Sequence, residues 1–164
     1  MDEEAFDAFY TESFSRLLGQ ITAMIGNRTE AQDCVQEAFI RAWDKRHELD
    51  AAQSPEAWVR TVAYRLAVSR WRRAVRAFRQ PDRAVEVRPS RSPGPDRVAL
   101  DRALSQISPD QRRAVVLHYY CDLSVNEIAE ELHVPVGTVK ARLSRGRAAL
   151  ATLLHDATLE ARHV

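Results

Sequence analysis

The sequence predicts an all-α protein: two small helical domains joined by a flexible linker, with a helix-turn-helix in the C-terminal domain. Apolar residues recur at intervals of three and four through most of the chain, as the buried faces of helices do. The stretch 77–95 loses this periodicity and is rich in proline and arginine, which is typical of a linker. Between Ser124 and Leu150 a helix, a proline turn and a second helix follow one another.

These boundaries predict a first domain at 1–76, a linker at 77–95, a second domain at 96–156 and a frayed tail at 157–164. The chain has 164 residues and 45% hydrophobic content, enough for compact helical cores. Its formal net charge is only +1, so a basic surface that binds nucleic acid must be offset by acidic residues elsewhere in the chain. Those acidic residues can themselves contact a protein. No apolar run approaches membrane-spanning length and the first residues are acidic, which predicts a cytoplasmic protein without membrane insertion.

The first two helices are predicted to pack on each other. The first keeps apolar residues at helical spacing from Phe6 to Ile25 and ends at Gly26. The second is expected to begin with a capping box formed by Thr29 and Gln32, and to continue to about Lys45.

One face of the second helix is a candidate protein-docking patch. There an apolar side chain is framed by acids and an amide, the arrangement of an apolar centre with a polar rim. Singly exposed apolar residues are common, so the helical wheel alone leaves both interpretations open. The residues of this patch are Asp33, Gln36, Glu37 and Ile40.

The third helix begins at the cap Ser54 and Pro55 and is rich in aromatic residues and arginines. Such a mixture suits unpaired nucleotides, because bases stack on aromatic rings while arginines hold the backbone. Packing in the core is the alternative for Tyr64 and Trp71, and the sequence leaves it open. The candidate nucleic-acid contacts are Arg60, Tyr64, Arg65, Trp71 and Arg72.

The helix-turn-helix prediction depends on capping and on one proline. Ser124 and Glu127 form a capping box, and Pro135 ends the short helix and suits the start of the next one. His133 then has to make the turn without the glycine that favours a positive φ.

The outer face of the second helix of this motif combines small and basic residues. Small residues let the backbone enter the major groove, and the cations reach bases or phosphates. A solvated basic helix is the alternative, but the coincidence of helix, proline turn and this face favours duplex DNA binding. The candidate residues are Gly137, Thr138, Lys140, Ala141, Arg142, Ser144 and Arg145.

The sequence predicts no enzyme, metal or cofactor. Cys34 and Cys121 are far apart and belong to no Cys-x-x-Cys motif, so neither a disulfide nor a zinc site is expected. The five histidines are scattered without a nucleophile or metal constellation, and no phosphate-binding glycine loop is present.

This order of parts resembles an extracytoplasmic-function (ECF) sigma factor of bacterial RNA polymerase. The resemblance covers nearly the whole chain, and its most specific segments are 33–43, 108–120 and 135–143. It implies a dissociable initiation subunit that binds the core polymerase and promoter DNA, both as a duplex and as a single strand. It also implies regulation by an anti-sigma factor.

The resemblance assigns roles to the candidate surfaces. In the family, the segment matching 33–43 docks on the clamp helices of the β′ subunit. The helix matching 58–76 captures the −10 element and holds its non-template strand open, which favours DNA contacts for Arg60, Tyr64, Arg65 and Trp71. The C-terminal domain binds the β flap while its recognition helix reads the −35 element. By position, the likeliest base or phosphate contacts there are Lys140, Ala141, Ser144 and Arg145.

Two departures from the family pattern stand out. The segment 64–69, Tyr-Arg-Leu-Ala-Val-Ser, lacks the asparagine and the aspartate that the family commonly has near the end of its −10 helix. His133 stands where the family often has glycine, and a turn residue is a simpler interpretation than a pH switch.

A conventional helix-turn-helix regulator is the alternative function. Such a protein usually needs a dimer interface to match two half-sites, whereas a linker between two domains favours two separately docking modules. A pure adaptor would not need the small and basic face of the recognition helix.

Overall fold

The computed structural model describes residues 1–49, 54–78 and 94–163, and within these ranges all regular structure is helical. The helical structure confirms the predicted all-α class. The chain forms two compact units, Met1–Ser90 and Arg91–Val164. The helices of the first unit are α1 (Glu3–Ile25), α2 (Arg28–Asp44) and α3 (Pro55–Phe78). Those of the second are α4 (Pro95–Gln106), α5 (Pro109–Val115), a π-helical turn (Val116–Tyr120), α6 (Val125–Leu132) and α7 (Val136–Arg162).

The predicted linker 77–95 falls mostly on residues 79–93, which lie outside the described residues. Its two ends differ from the prediction, since α3 continues through Phe78 and α4 already begins at Pro95. Proline suits that first helical position because its missing N–H would have no partner there.

The core of the first unit is formed where α1, α2 and α3 pack together, each burying one apolar stripe. Leu17 and Ile21 of α1, Val35 of α2 and Val59 of α3 are fully buried. The aromatic rings of α1 pack around Phe39, with centroid distances of 4.9–6.3 Å. These contacts hold α2 in place, so its other face points away from the core.

The predicted ends of these helices are partly correct. Gly26 ends α1 with φ 80°, the left-handed conformation that glycine adopts without strain. The predicted capping box of Thr29 and Gln32 is wrong, because α2 begins at Arg28 and its N-cap is Asn27. The Asn27 Oδ1 accepts a hydrogen bond from the Glu30 N–H at 3.0 Å. Asparagine is as good an N-cap as any residue, and it comes earlier in the chain.

The second unit is built around α7, against which α4, α5 and α6 pack. Its core includes the fully buried side chains Leu117, Ile128 and Val139. The Ser108 hydroxyl caps α5, as a serine just before Pro109 and Asp110 predicts, and accepts a hydrogen bond from the Gln111 N–H at 3.2 Å.

Two expectations for α7 differ from the structure. The tail 157–164 was expected to fray, but α7 remains helical to Arg162, because residues 151–162 lack glycine and proline and are mostly good helix formers. Helical spacing places Val136 with Val139 and Leu143 on the inward stripe, but Val136 lies in the first turn of α7 and is exposed.

Candidate functional site

The turn between α6 and α7 has the geometry of a helix-turn-helix. The Ser124 hydroxyl accepts a hydrogen bond from the Glu127 N–H, and the Glu127 carboxylate accepts one from the Ser124 N–H at 2.7 Å. This confirms the capping box, and the bond from the Ser124 N–H lowers the pKa of the Glu127 carboxyl. His133 ends α6 in the left-handed region at φ 53° and ψ 46°, as expected, and Pro135 precedes α7 in extended conformation.

The predicted recognition face of α7 lies on the solvent side of the second unit. The helix buries Val139, Leu143, Gly146 and Leu150 on its opposite side. The small and basic residues therefore share one accessible surface, within which Thr138, Ala141 and Arg142 are half-buried. The exposed members are Gly137, Lys140, Ser144 and Arg145.

Helix α5 packs on the inner side of α7, and α5 and the π-helical turn after it contact residues on the two flanks of α7. Arg142 on one flank lies 3.5 Å from the Asp110 carboxylate at the start of α5. On the other flank, Arg147 Nη1 donates a hydrogen bond to the Tyr119 hydroxyl at 3.1 Å. Neither Tyr119 nor Arg147 was predicted as a site residue, because no local pattern pairs residues 28 positions apart.

The predicted docking patch on α2 faces solvent. Asp33 and Gln36 are exposed, and Ile40 at its centre is 61% exposed. Glu37 is half-buried and forms an ion pair with Arg41 at 3.0 Å, a pair one helical turn apart. An isoleucine this exposed on a well-ordered helix contributes nothing to the core, which leaves it available to a partner.

Arg70 links this face of α2 to α3. Its Nη1 lies 3.3 Å from the Glu30 carboxylate and 3.9 Å from that of Asp33. These two ion pairs connect the start of α2 to the last third of α3. The α2 patch and the end of α3 therefore lie on helices that pack directly against each other.

The last two turns of α3 form an exposed surface of aromatic and basic side chains. Trp71 is 65% exposed and Phe78 is 67% exposed, with Val75 between them along the helix. Trp71 is therefore not a core residue, which resolves the alternative that the sequence left open. The exposed arginines of the surrounding surface are Arg65, Arg72, Arg73 and Arg76.

Two other candidates on α3 lie elsewhere. Tyr64 is half-buried. Arg60 is only 5% exposed and its Nη1 donates a hydrogen bond to Gln20 Oε1 of α1 at 3.0 Å. A guanidinium bonded inside the unit cannot hold a DNA backbone, so the structure removes Arg60 from the candidate nucleic-acid contacts. Phe78 was missed because the first domain was predicted to end at residue 76, whereas α3 continues to Phe78. Val75 was not among the predicted contacts.

The described residues hold no group of three or more histidine, cysteine or acidic side chains that could bind a metal ion. In the same ranges no helix is long and apolar enough to cross a membrane. Cys34 and Cys121 are not joined in a disulfide, and burial raises the pKa of the Cys34 thiol to about 11.

Two protein-family models match the chain. Sigma-70 region 2 matches residues 9–77, and Sigma-70 region 4 matches residues 97–150. The chain is also 31% identical to the ECF RNA polymerase sigma factor SigW of Bacillus subtilis, in an alignment that covers 94% of this chain and 91% of SigW. The chain belongs to the ECF sigma factors. It is 30% identical to SigL of Mycobacterium tuberculosis, over 91% of this chain and 88% of SigL.

Solved structures of similar proteins agree with this family. The sigma factor RpoE of Bartonella quintana, crystallised with the anti-sigma factor NepR, superposes with a TM-score of 0.79 and 25% identity, over 93% of this chain and 98% of that one. CnrH, solved with the cytosolic domain of CnrY, shares the fold at a TM-score of 0.71 and 22% identity, over 94% and 90% of the two chains.

The family models divide the candidate surfaces of this ECF sigma factor between its two units. The α2 patch and the exposed end of α3 lie within region 2, and the recognition face of α7 lies within region 4. These matches confirm the predicted resemblance to ECF sigma factors as family membership.

Proposed function

We propose that this ECF sigma factor binds core RNA polymerase and directs it to promoters that carry −35 and −10 elements. The observation that carries the proposal is the exposed small and basic face of α7, placed by a helix-turn-helix inside the region 4 match. We assign polymerase docking and −10 capture to residues 1–76, and −35 reading to residues 96–156, as the sequence predicted. The first of these segments is extended to Phe78, because α3 ends there.

In this proposal α7 enters the major groove of the −35 element while the second unit rests on the β flap. Gly137, Thr138 and Ala141 let the helix backbone approach the base edges, since bulky side chains there would hold it away. Arg145 is the best candidate for a base contact, because it is exposed and an arginine can bind guanine through two hydrogen bonds. Lys140, Arg142 and Ser144 are placed to hold phosphates or bases beside it.

Arg145→Ala tests the base-reading role. A lost bidentate contact should cost about 1–3 kcal/mol of discrimination between promoters, whereas a lost phosphate contact weakens all sequences alike. Transcript levels from a cognate promoter and from variants of its −35 element separate these outcomes. Arg162→Ala is the matched control, because it removes the same charge from the far end of α7. An unchanged promoter preference in Arg145→Ala would remove this residue from base reading.

We propose that the α2 patch docks on the clamp helices of the β′ subunit. Ile40 supplies the apolar centre, and Asp33, Gln36 and Glu37 supply a polar rim that suits a partner with basic residues. A partly exposed apolar anchor of this kind can dominate an interface once the partner has excluded water from it.

Ile40→Asp should weaken binding to core polymerase without changing the folding of the chain, because the side chain touches no core. Fluorescence anisotropy of the labelled sigma factor, titrated with core enzyme, measures the affinity. Leu159→Asp is the control, since it places the same charge on an exposed leucine of the other unit. Affinity equal to that of the unchanged protein would refute the patch.

We propose that the exposed end of α3 captures single-stranded −10 DNA. Trp71 offers a ring for base stacking, and Arg65 and Arg72 offer cations for the backbone, with Tyr64 at the margin. Trp71→Ala should therefore reduce strand opening, followed by the fluorescence of 2-aminopurine placed in the −10 element, while core affinity stays the same. Stacking is worth about 1–3 kcal/mol per base, and an unchanged signal would argue against this surface.

We also propose an anti-sigma partner, and action in the cytoplasm, where RNA polymerase meets DNA. The RpoE structure contains the anti-sigma factor NepR, and a protein with the same two units offers equivalent surfaces to such a partner. Co-purification of the tagged chain from its own cells, with and without inducing stress, tests for this partner.

A further inference from the structure

The hydrogen bond between Arg147 and Tyr119 joins two residues that the proposed function has not used. Both are exposed, Tyr119 by 54%, and the bond links the π-helical turn to α7 across 28 residues of sequence. This bond orients the Arg147 guanidinium toward the Tyr119 phenol.

The crossing of α5 over α7 brings this pair together. Gly146 lies at the crossing, where an added Cβ would sit 2.9 Å from Val115 Cγ2 and 3.5 Å from Gln111 Cβ. This close approach places the next residue of α7, Arg147, beside the π-helical turn that follows α5. The packing of α5 on α7 therefore positions Tyr119 and Arg147 next to each other, in addition to their own hydrogen bond.

The helical wheel places Arg147 on the same flank of α7 as Lys140. Seven residues separate them, which is close to two turns and about 10 Å along the helix axis. Arg142 lies on the opposite flank, where the carboxylate of Asp110 offsets its charge at 3.5 Å. The Tyr119 hydroxyl is neutral, so Arg147 keeps its full positive charge. The Lys140 flank of the recognition helix therefore carries two cations, Lys140 and Arg147.

A helix in the major groove has a phosphate backbone along each of its flanks. We propose that Tyr119 and Arg147 form a phosphate clamp, which binds the DNA strand that borders the Lys140 flank. The guanidinium supplies the charge, and the Tyr119 hydroxyl, which accepts from Arg147, still has its own hydrogen to donate to a phosphate oxygen. This inference rests on the proposed function of α7, and it adds contacts that hold the helix in register without reading sequence.

The salt dependence of duplex binding tests the clamp. The full chain is titrated onto a fluorescein-labelled duplex from about 50 to about 200 mM KCl, and the slope of log K against log salt is compared between variants. Arg147→Ala should make the slope shallower by about 0.9, the value of one lost phosphate contact. Tyr119→Phe keeps the charge, so its slope should stay the same while affinity falls about twofold to tenfold through the lost hydrogen bonds. Arg162→Ala is the control for a charge removed elsewhere on α7.

A merely structural role would give a different result. Losing a bond between the π-helical turn and α7 would lower the melting temperature of both variants, but it would leave the salt slope unchanged. A slope for Arg147→Ala equal to that of Arg162→Ala overturns the clamp, and so does a wild-type chain that fails to bind the duplex at low salt.

Arg145→Ala separates failure of the clamp from failure of the proposed function. If Arg145→Ala changes promoter preference while Arg147→Ala leaves the slope unchanged, only the clamp is wrong. If neither substitution has an effect on promoter preference or slope, the DNA-binding role of this face of α7 is wrong, and the clamp is wrong with it.

Discussion

Gly146 sets the distance between α5 and the recognition helix, and Gly146→Ala should push them apart. The new Cβ would meet Val115 Cγ2 at 2.9 Å, closer than carbon atoms approach in folded proteins. Valine is stiff at χ1, so its methyl group cannot simply turn away and the helices have to shift. Such overpacking costs about 1–3 kcal/mol.

Helix propensity opposes this cost. Alanine is favoured over glycine inside a helix by about 1 kcal/mol, so the net destabilisation should be about 0–2 kcal/mol. The larger substitution Gly146→Val should cost more, because its added methyl groups enter the same space while valine has lower helix propensity than alanine. A domain of this size loses about 4–8 °C of melting temperature per kcal/mol.

The two units can be followed separately. All three tryptophans, Trp43, Trp58 and Trp71, are in the first unit. Gly146→Ala should therefore lower the melting transition seen by far-UV circular dichroism and leave that of tryptophan fluorescence in place. Adding Val115→Ala should recover part of the loss, because it removes the methyl group that clashes. Stabilisation by Gly146→Ala, together with strictly additive effects of the two substitutions, would refute this packing.

Three further predictions concern single residues. His133→Gly should stabilise the second unit by about 0.5–1 kcal/mol in chemical denaturation, because glycine adopts φ 53° without strain; a loss of stability would contradict this. The hydrogen bonds from Arg16 at 2.8 and 3.0 Å lower the pKa of Glu56, so its stabilisation is present above the unfolded pKa and is lost as pH falls through the folded one. Glu56→Gln should flatten the acid side of the stability curve by at most about 1 kcal/mol, since Arg16 is half exposed, and an unchanged curve would count against the pair. A thiol reagent at pH 8 should label Cys121 rapidly and Cys34 slowly, because burial raises the Cys34 pKa to about 11, and rapid labelling of Cys121→Ser would disprove this.

Local chemistry explains which features could be predicted from the sequence. The Ser124 capping box, the Gly26 helix end and the Ser108 cap each depend on residues at most four apart, and the structure contains all three. The face of α7 was predictable for the same reason, since a regular helix fixes which residues share a side. Even the strained φ of His133 follows from its place between two helices.

The features that the sequence did not reveal depend on contacts between distant residues. Arg60 lies on the aromatic side of α3 in a helical wheel, but a glutamine 40 positions away offers a hydrogen bond inside the unit. Likewise, the bond between Arg147 and Tyr119 requires the π-helical turn and the close helix crossing at Gly146. Periodicity assigns a residue to a face, but it cannot tell which neighbour the fold brings to that face.

Run-off transcription tests directly whether this protein makes core RNA polymerase initiate at specific promoters. Purified bacterial core polymerase, with and without this protein, is given a pool of promoter fragments from the organism's own genome, and new transcript starts are mapped. We expect transcript starts that depend on the protein and share −35 and −10 elements at one fixed spacing, because two separate units must bind at once. No new initiation, despite specific duplex binding by the protein alone, would contradict it and would indicate a conventional helix-turn-helix regulator.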